Sequence, residues 1–487
     1  MKVTKIFTLS VLSLSLVFCS GCKDMLDIKP VHSMMPKSIA DFEAVLLGGY
    51  PRADFFIKTD MLTDNVYVNL NADNLPAQDN ERWFTFSSSL LAPGTLSDPY
   101  WGQLYKSIFC ANTVLDHLKK IVPSPEEKEL YDQIRGEAFA LRAYSYFYLI
   151  NFYADVYQAE NLQLPGVPMP LSAENTVEYS GNNQRAPIEE VWKQILTDIQ
   201  ESSELLNGKQ ITDRYRFSAD VLALFHARVD LMMGNYASAV SFATEVIDNH
   251  PLADLSGLEA LIVKDGASKV LTYQYGFVDT QINKELLFFV GGKANNNPYY
   301  YATGPIKPVE ALLDLSRRYG DLSDYRQLIY DPFEDPASSQ AIKIGKTVYK
   351  MYASQDLLWY YVGFKASEAY LIRAEAQVRL KNSDLAIADL NTILKSRMRK
   401  DKVVTLKTAD FVDAAAVLDR VLEERRLELA FDGGLRFMDL RRLGKPEIVH
   451  VYKNADIYTL HKNDPRYLLQ IPPSESENSP DMPLNPR

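Results

Sequence analysis

The sequence contains only three cysteines, Cys19, Cys22 and Cys110, among 487 residues. Three cysteines cannot build a disulfide framework across a chain of this length, and their spacing does not match that of a structural zinc site. The hydrophobic content of 47% lies in the ordinary range for globular proteins. We therefore expect a fold that is held together by the packing of apolar side chains.

Positive charge is also scarce, because 52 lysines and arginines face 63 aspartates and glutamates and the formal net charge is −11. A protein that follows a phosphate backbone needs clustered lysine and arginine side chains. The sequence has no basic run longer than two or three residues. The composition therefore argues against a nucleic-acid partner.

Motifs for catalysis and for cofactor binding are missing as well. No two of the six histidines lie three or four positions apart, so no helix presents two imidazoles to a metal ion. The chain has no Gly-x-Ser-x-Gly elbow and no glycine-rich dinucleotide fingerprint. The alternation of Asn69, Asn71 and Asp73 resembles a calcium loop, but Asn74 and Asn80 replace its glycine and its glutamate. We expect no cofactor and no EF-hand, while a weaker oxygen-lined ion site stays open.

The strongest candidate for acid–base chemistry is a cluster of charges at Glu423, Glu424, Arg425, Arg426 and Glu428. A glycoside hydrolase needs only two carboxyl groups that meet in space about 5–9.5 Å apart. On a helix whose apolar side chains turn inward, however, glutamates and arginines pair with each other between packed helices. We therefore interpret the cluster as structural and expect the protein not to be an enzyme.

Residues 1–21 have the pattern of a secretory signal. Two lysines precede an apolar stretch at residues 6–18, which is shorter than the roughly 20 residues that span a membrane as a helix. Ser20 and Gly21 precede Cys22 as in a bacterial lipobox, whose cysteine becomes acylated. We expect residues 1–21 to be removed, Cys22 to carry the lipid anchor and residues 22–34 to form a tether. An ordinary signal peptide that is cleaved elsewhere is the alternative.

Apolar side chains at spacings of three and four dominate the rest of the chain and predict a mostly α-helical protein. Trp101, Tyr105 and Ile108 begin one helical stripe, and residues 129–153 form a long second helix. Three prolines between residues 165 and 170 predict an extended connection before the helices resume, because proline removes a donor that a helix interior needs.

A repeat becomes visible when the sequence is shifted by 147 residues. The shift superposes the small and apolar residues of 227–247 on those of 374–394, and it places Gly234-Asn235 on Lys381-Asn382. Each copy therefore predicts two helices joined by a tight turn, as in tetratricopeptide-type repeats. Because the copies are far apart along the chain, we expect discontinuous repeats that come together in space around inserted segments.

Two inserted stretches, residues 60–100 and 265–350, combine polar residues with short apolar runs. This pattern predicts loop-rich segments with short strands. Long loops on a rigid helical scaffold are frequent binding sites, so we expect function there. The final residues, 472–487, contain five prolines and predict an extended tail on the surface.

Blocks spread over nearly the whole chain resemble the SusD/RagB family of outer-membrane nutrient-binding lipoproteins. They begin with Cys22 and continue through the helix of Trp101 and through residues 137–153 and 364–376. The most specific block lies within residues 421–445, hereafter the signature, and it comprises Glu424-Arg425, Glu428-Leu429, Phe431-Asp432-Gly433, Arg436, Asp439-Leu440 and residues 442–444.

The resemblance implies a mostly α-helical protein with four discontinuous tetratricopeptide-like units. Residues 35–250 and 251–487 would form the N-terminal and C-terminal parts of one compact structural unit. The family also implies a lipid-anchored protein on the surface of a Gram-negative outer membrane. There it would bind a nutrient, most often an oligosaccharide, and deliver it to a SusC-like, TonB-dependent transporter. A surface glycoside hydrolase and a periplasmic repeat scaffold remain as alternatives.

No motif of the family marks the ligand-binding residues, so these are predicted from composition alone. A sugar binder needs aromatic platforms beside amides and carboxylates. The candidates in the first insertion are Asp64, Tyr67, Asn69, Asn71 and Trp83, and those in the second are Asn296, Asn297, Tyr299, Tyr300 and Tyr301. The alternative is that aromatic residues in loops pack on the scaffold.

Overall fold

The computed structural model describes residues 36–51, 57–68, 78–174, 184–254, 285–293, 306–308, 310–320, 323–326, 351–354, 357–453 and 455–487. The predicted leader at residues 1–21, Cys22 and the tether at residues 22–34 lie outside these ranges. No helix in the described ranges is both long enough and apolar enough to cross a membrane.

The described residues are mostly helical. The helices are α1 (Ile39–Leu47), α2 (Ile57–Asp60), α3 (Gln78–Phe84), α4 (Pro99–Leu118), α5 (Lys128–Tyr153), α6 (Ile188–Leu206), α7 (Ala219–Met233), α8 (Tyr236–Asn249), α9 (Glu310–Arg317), α10 (Ala366–Arg379), α11 (Ser383–Arg397), α12 (Ala414–Leu429), α13 (Leu435–Arg442) and α14 (Pro473–Asn478). The strands are β1 (Val66–Val68), β2 (Leu286–Lys293), β3 (Ile306–Pro308), β4 (Met351–Ser354), β5 (Leu357–Lys365), β6 (Ile448–Tyr452) and β7 (Asp456–Leu460).

The strands form three small antiparallel sheets. Strand β1 pairs with β3, strand β5 lies between β2 and β4, and β6 pairs with β7. The prediction of a mostly α-helical protein with short-strand insertions is therefore confirmed.

The long helix α5 packs against both α4 and α6. A side chain at Gly136 would place its Cβ 2.7 Å from the side chain of Leu206, so the missing side chain lets α6 approach closely. The same two helices are joined by Arg142, whose Nε and Nη2 donate to Asp198 at 2.8 and 2.7 Å. The helix predicted at residues 129–153 is thus confirmed within one residue.

The repeat predicted at a shift of 147 residues is confirmed. Helices α7 and α8 begin at residues 219 and 236, and α10 and α11 begin at 366 and 383. Helix α8 packs directly on α10, which places the two copies side by side.

The turns of the two copies share one hydrogen-bond pattern. The amide of Asn235 donates to the carbonyl of Asp230, and the amide of Asn382 donates to the carbonyl of Gln377, both at 2.8 Å. In both turns this bond runs back over five residues across the last turn of the helix and closes the helix end.

The centre of the core is aromatic and lies where α5, α7, β2 and β5 meet. Phe217 stacks on Phe288 with ring centroids 4.6 Å apart, and Phe225 contacts both Phe147 and Phe364 at 5.3 and 5.7 Å. The second insertion therefore begins from strands whose side chains belong to the core of the scaffold.

The prediction of an extended surface tail at residues 472–487 is correct only in part, because many of these residues are exposed but the segment is neither extended throughout nor unpacked. The segment contains α14, which begins at Pro473 because proline suits the first position of a helix. The side chain of Asn485 is buried and donates to the carbonyls of Tyr153 and Leu469, each at 2.7 Å. Glu475 accepts a hydrogen bond of 3.1 Å from the indole of Trp101. The end of the chain thus packs on α4 and α5.

Exchanging glycine and lysine at the two repeat turns should change the stability of the protein in opposite directions. Gly234 and Lys381 both have positive φ, +81° and +67°, which costs an L-residue roughly 1–2 kcal/mol. We expect Lys381→Gly to raise the free energy of unfolding by about 0.5 kcal/mol, because the gain is partly offset by the larger backbone entropy of glycine when unfolded. Urea unfolding of the purified protein measures this change.

The reciprocal control is Gly234→Lys, which should lower the free energy of unfolding by about 1 kcal/mol. The nearest atom to a Cβ at Gly234 is the Tyr236 hydroxyl at 3.8 Å, so the change acts through the backbone alone. A loss of stability with Lys381→Gly would contradict the equivalence of the two turns.

Candidate functional site

The two predicted insertions are joined by the β1–β3 ladder. Its antiparallel register pairs Val66 with Pro308, Tyr67 with Lys307 and Val68 with Ile306. Val66 and Val68 are buried, whereas Tyr67 between them points outward and is 46% exposed. The ladder therefore presents Tyr67, one of the predicted ligand residues, on its open face.

Apart from Asp64 and Trp83, the other candidate ligand residues come after Val68 or before Ile306 in the sequence. They lie outside the described residues, so their assignment as ligand contacts stays a prediction: Asn69, Asn71, Asn296, Asn297, Tyr299, Tyr300 and Tyr301. The chain leaves the ladder at Val68 and enters it at Ile306, and these two residues are partners.

Trp83 occupies the core instead of an open surface. Its side chain is 2% exposed, and its ring centroid lies 5.4 Å from that of Tyr100. A ring that is enclosed in this way has no free face for a sugar. This finding corrects the expectation that Trp83 is a ligand platform and assigns the residue to packing.

The carboxylate of Asp64 is bound by the signature. Nε and Nη2 of Arg436 donate to its two oxygens at 2.8 and 2.7 Å, and Nη2 of Arg426 lies 3.3 Å from Oδ2. Burial alone would raise the pKa of Asp64, but the hydrogen bonds from Arg436 and the charges of both arginines outweigh it and lower the pKa. Asp64 therefore anchors the first insertion, while its side chain is still 31% exposed and its predicted contact with a ligand stays a prediction.

His450 holds the same insertion from the other side and was not singled out from the sequence. Its Nε2 lies 2.9 Å from the carbonyl oxygen of Thr63, and its Nδ1 lies 2.7 Å from that of Phe84. Phe84 and Phe86 stack on the imidazole with centroids 4.2 and 4.5 Å away. Burial lowers the pKa of His450, although the two backbone contacts act in the opposite direction. The sequence of β6, Ile-Val-His-Val-Tyr, places apolar residues on both faces of the strand, so it gave no local signal that the side chain of His450 points inward while Val449 and Val451 are exposed.

Within the cluster at residues 423–428, Glu424, Arg425 and Glu428 are buried in ion pairs, as expected. The side chain of Glu423 is 45% exposed, and Arg426 binds the first insertion.

Glu428 is 1% exposed, and its carboxylate accepts hydrogen bonds of 3.0 Å from both Arg397 and Arg326. The Nζ of Lys365 donates to the backbone carbonyl of Glu428 at 2.8 Å and lies 3.5 Å from its carboxylate. Burial opposes ionisation, but Arg397, Lys365 and Arg326 hold the pKa of Glu428 well below its ordinary value of 4.5. The charges around Glu428 pair with each other and are too deeply buried to contact a substrate.

In the described ranges, the structure brings no group of three His, Cys, Asp or Glu side chains into a metal-binding arrangement. Asn69, Asn71 and Asp73, the residues with calcium-like alternation, lie outside those ranges.

Comparison with known proteins identifies the family. Residues 24–231 match a family model described as "Starch-binding associating with outer membrane". Residues 350–487 match the model of the SusD family, which includes RagB. The two matches together span more than two thirds of the chain. The chain belongs to the SusD/RagB family.

The alignments with known relatives and solved structures cover nearly the whole of this chain. A SusD-like protein of Formosa agariphila is 24% identical over 89% of this chain and 90% of its own length. The crystal structure of a SusD superfamily protein from Bacteroides thetaiotaomicron has a TM-score of 0.70 and 20% identity, and the alignment covers 93% of this chain and all of that one. A SusD-like carbohydrate binding protein from Bacteroides vulgatus has a TM-score of 0.66 and 19% identity over 92% and 98% of the two chains. The structural likenesses confirm the tetratricopeptide-like fold.

Removing the charge of Glu428 should destabilise the protein severely. We expect Glu428→Gln to lower the free energy of unfolding at neutral pH by about 3 kcal/mol, because buried cations lose their partner. The folded-state pKa lies below the unfolded value, so the stabilisation is complete above about pH 4.5. It is lost as the pH falls toward the folded-state pKa, and the difference between variant and wild type should then shrink. Urea unfolding at several pH values measures it.

The matched control is Glu423→Gln on the same helix, since Glu423 pairs with Arg318 but its side chain is 45% exposed. An exposed pair contributes about 0–1 kcal/mol. Equal effects of the two substitutions would contradict the assignment of Glu428 to a buried network.

Proposed function

We propose that this SusD/RagB protein is a lipid-anchored receptor of the outer membrane that binds a carbohydrate at the cell surface. It would deliver this nutrient to a SusC-like, TonB-dependent transporter. The observation that carries the proposal is the β1–β3 ladder, which brings both polar and aromatic insertions to one place on the helical scaffold.

Two further findings support a carbohydrate as the ligand. The family model that matches residues 24–231 is described by starch binding and by association with the outer membrane. A similar solved structure is that of a SusD-like carbohydrate binding protein. Tyr67 offers an aromatic side chain that is 46% exposed, and the sequence of the same two insertions contains Asn69, Asn71, Asn296 and Asn297. Rings and amides of this kind match the apolar faces and polar edges of a sugar.

Binding without turnover is the expected behaviour. We expect the purified protein to bind saturably to a subset of glycans on an array that includes soluble starch and maltoheptaose, without releasing reducing ends. Tyr67→Ala should lower the affinity for each glycan that binds by about tenfold, because a ring contact contributes roughly 1.4 kcal/mol. Array signals and calorimetry measure the affinity.

The matched control is Tyr215→Ala, since Tyr215 is 56% exposed but lies in the connection between α6 and α7 and belongs to neither insertion. It should leave glycan affinity unchanged within about twofold. Failure to bind any glycan would contradict the proposed receptor, and the appearance of reducing ends would favour the hydrolase alternative.

Anchoring through Cys22 is tested in cells of a Gram-negative host. We expect the full chain to take up radiolabelled palmitate, to fractionate with the outer membrane and to be removed by protease added to intact cells. Cys22→Ala should abolish the label and release the protein from the membrane, because anchoring requires the buried acyl chains.

Cys110→Ala is the control, since this cysteine is free and buried on α4 and cannot accept the lipid in the folded protein. Palmitate uptake by the Cys22→Ala variant would contradict the assigned anchor. Protection of the membrane-bound wild type from external protease would favour the periplasmic scaffold.

A further inference from the structure

Three successive residues of the first insertion are each bound by a side chain from a different C-terminal element. The carbonyl oxygen of Thr63 lies within hydrogen-bond distance of His450 on β6. The carboxylate of Asp64 accepts two hydrogen bonds from the guanidinium group of Arg436 on α13. The side-chain oxygen of Asn65 accepts a hydrogen bond of 2.8 Å from Nε of Arg426 on α12. Nη2 of Arg426 also donates to the backbone carbonyl of Asp64 at 2.6 Å. We call Arg426, Arg436 and His450 the clamp.

The backbone beside the clamp fits the insertion closely. Gly434 has a φ of +73° and immediately precedes α13. A Cβ at this position would lie 2.7 Å from Oγ1 of Thr59 on α2 and 3.2 Å from the ring of Phe152. The glycine therefore allows the signature to reach the insertion at a distance that any side chain would prevent.

The ladder needs such an external support. It consists of two strands with three residue pairs, and a two-stranded sheet is at best marginally stable by itself in water. A bidentate arginine–carboxylate pair fixes direction as well as distance, so it is suited to hold a short segment in one orientation. The clamp acts on Thr63, Asp64 and Asn65, directly before the first residue of β1.

We propose that Arg426, Arg436 and His450 are positioning residues of the ligand site. They hold residues 63–65, which sets the orientation of β1 and, through the ladder, of β3. The exposed side chain of Tyr67 then faces a ligand in a fixed orientation. The consequence for ligand binding rests on the proposed function, whereas the positioning itself does not.

Amide hydrogen exchange of the full chain, followed by mass spectrometry without ligand, tests the positioning. We expect Arg436→Gln to accelerate exchange at least tenfold in peptides that cover residues 57–68 and 306–308, because local opening is no longer opposed by the clamp. Exchange in α7 and α10 should stay as in the wild type. Arg436→Lys keeps the charge but not the fork and should give an intermediate acceleration.

The matched control is Arg373→Gln. Arg373 forks Asp389 with the same geometry, at 3.0 and 2.7 Å, between the repeat helices α10 and α11. This variant should leave exchange at residues 57–68 and 306–308 unchanged. Asp64→Asn weakens the same pair from the carboxylate side and should also accelerate exchange. It therefore replaces Arg436→Gln in the test if that variant folds poorly.

Two results would overturn the proposal. One is exchange within twofold of the wild type at residues 57–68 and 306–308 in both Arg436→Gln and Asp64→Asn. The other is the same acceleration in Arg373→Gln, which would indicate general loosening of the fold. On the glycan array, Arg436→Gln should lose at least tenfold in affinity for each glycan that the wild type binds, while Arg373→Gln keeps it. A wild type that binds no glycan refutes the receptor and leaves the exchange result to decide the positioning.

Discussion

The fold depends most on the charge of Glu428, which lies almost completely outside the reach of water. A carboxylate in such a place is tolerated only when cations surround it and bind its oxygens. Here the cations come from α11 as Arg397, from the end of β5 as Lys365 and from residues 323–326 as Arg326. Arg397 also binds Glu285, the residue before β2, at 2.6 Å. Segments that are far apart along the chain must therefore meet at α12 before any of these charges is satisfied.

The signature has two faces because it lies on helices. Glu424 and Glu428 are four residues apart and share the face of α12 that points into the network, while Arg426 lies between them in sequence and points elsewhere. A second set of pairs, from Arg442 to Glu375 and from Arg425 to Asp439, joins α13 to α10 and to α12. One short stretch of the SusD/RagB chain thus fixes the repeats on one side and holds the first insertion on the other.

The sequence predicted the helices and the repeat well because both follow from local periodicity. The shift of 147 residues located α7, α8, α10 and α11, including the turn in which Lys381 takes the place of Gly234. The sequence could not predict what holds the first insertion, since Asp64 and Arg436 are 372 residues apart and nothing local marks them as partners. The prediction for Trp83 and part of the prediction for the end of the chain failed for a related reason. Composition cannot distinguish an aromatic residue or a proline-rich tail that packs on distant helices from one that lies open.

The network and the clamp differ in how deeply their charges are buried. The pairs around Glu428 are fully buried, so the loss of one partner leaves an unpaired charge inside the protein and destabilises the whole fold. The side chains of Asp64 and Arg436 are 31% and 15% exposed, so water can replace part of what either would lose. The clamp thus holds the first insertion by contacts that are partly exposed, and we expect the scaffold to survive their loss. The second insertion differs, because Glu285 and Arg326 tie it to the buried charges on which folding depends.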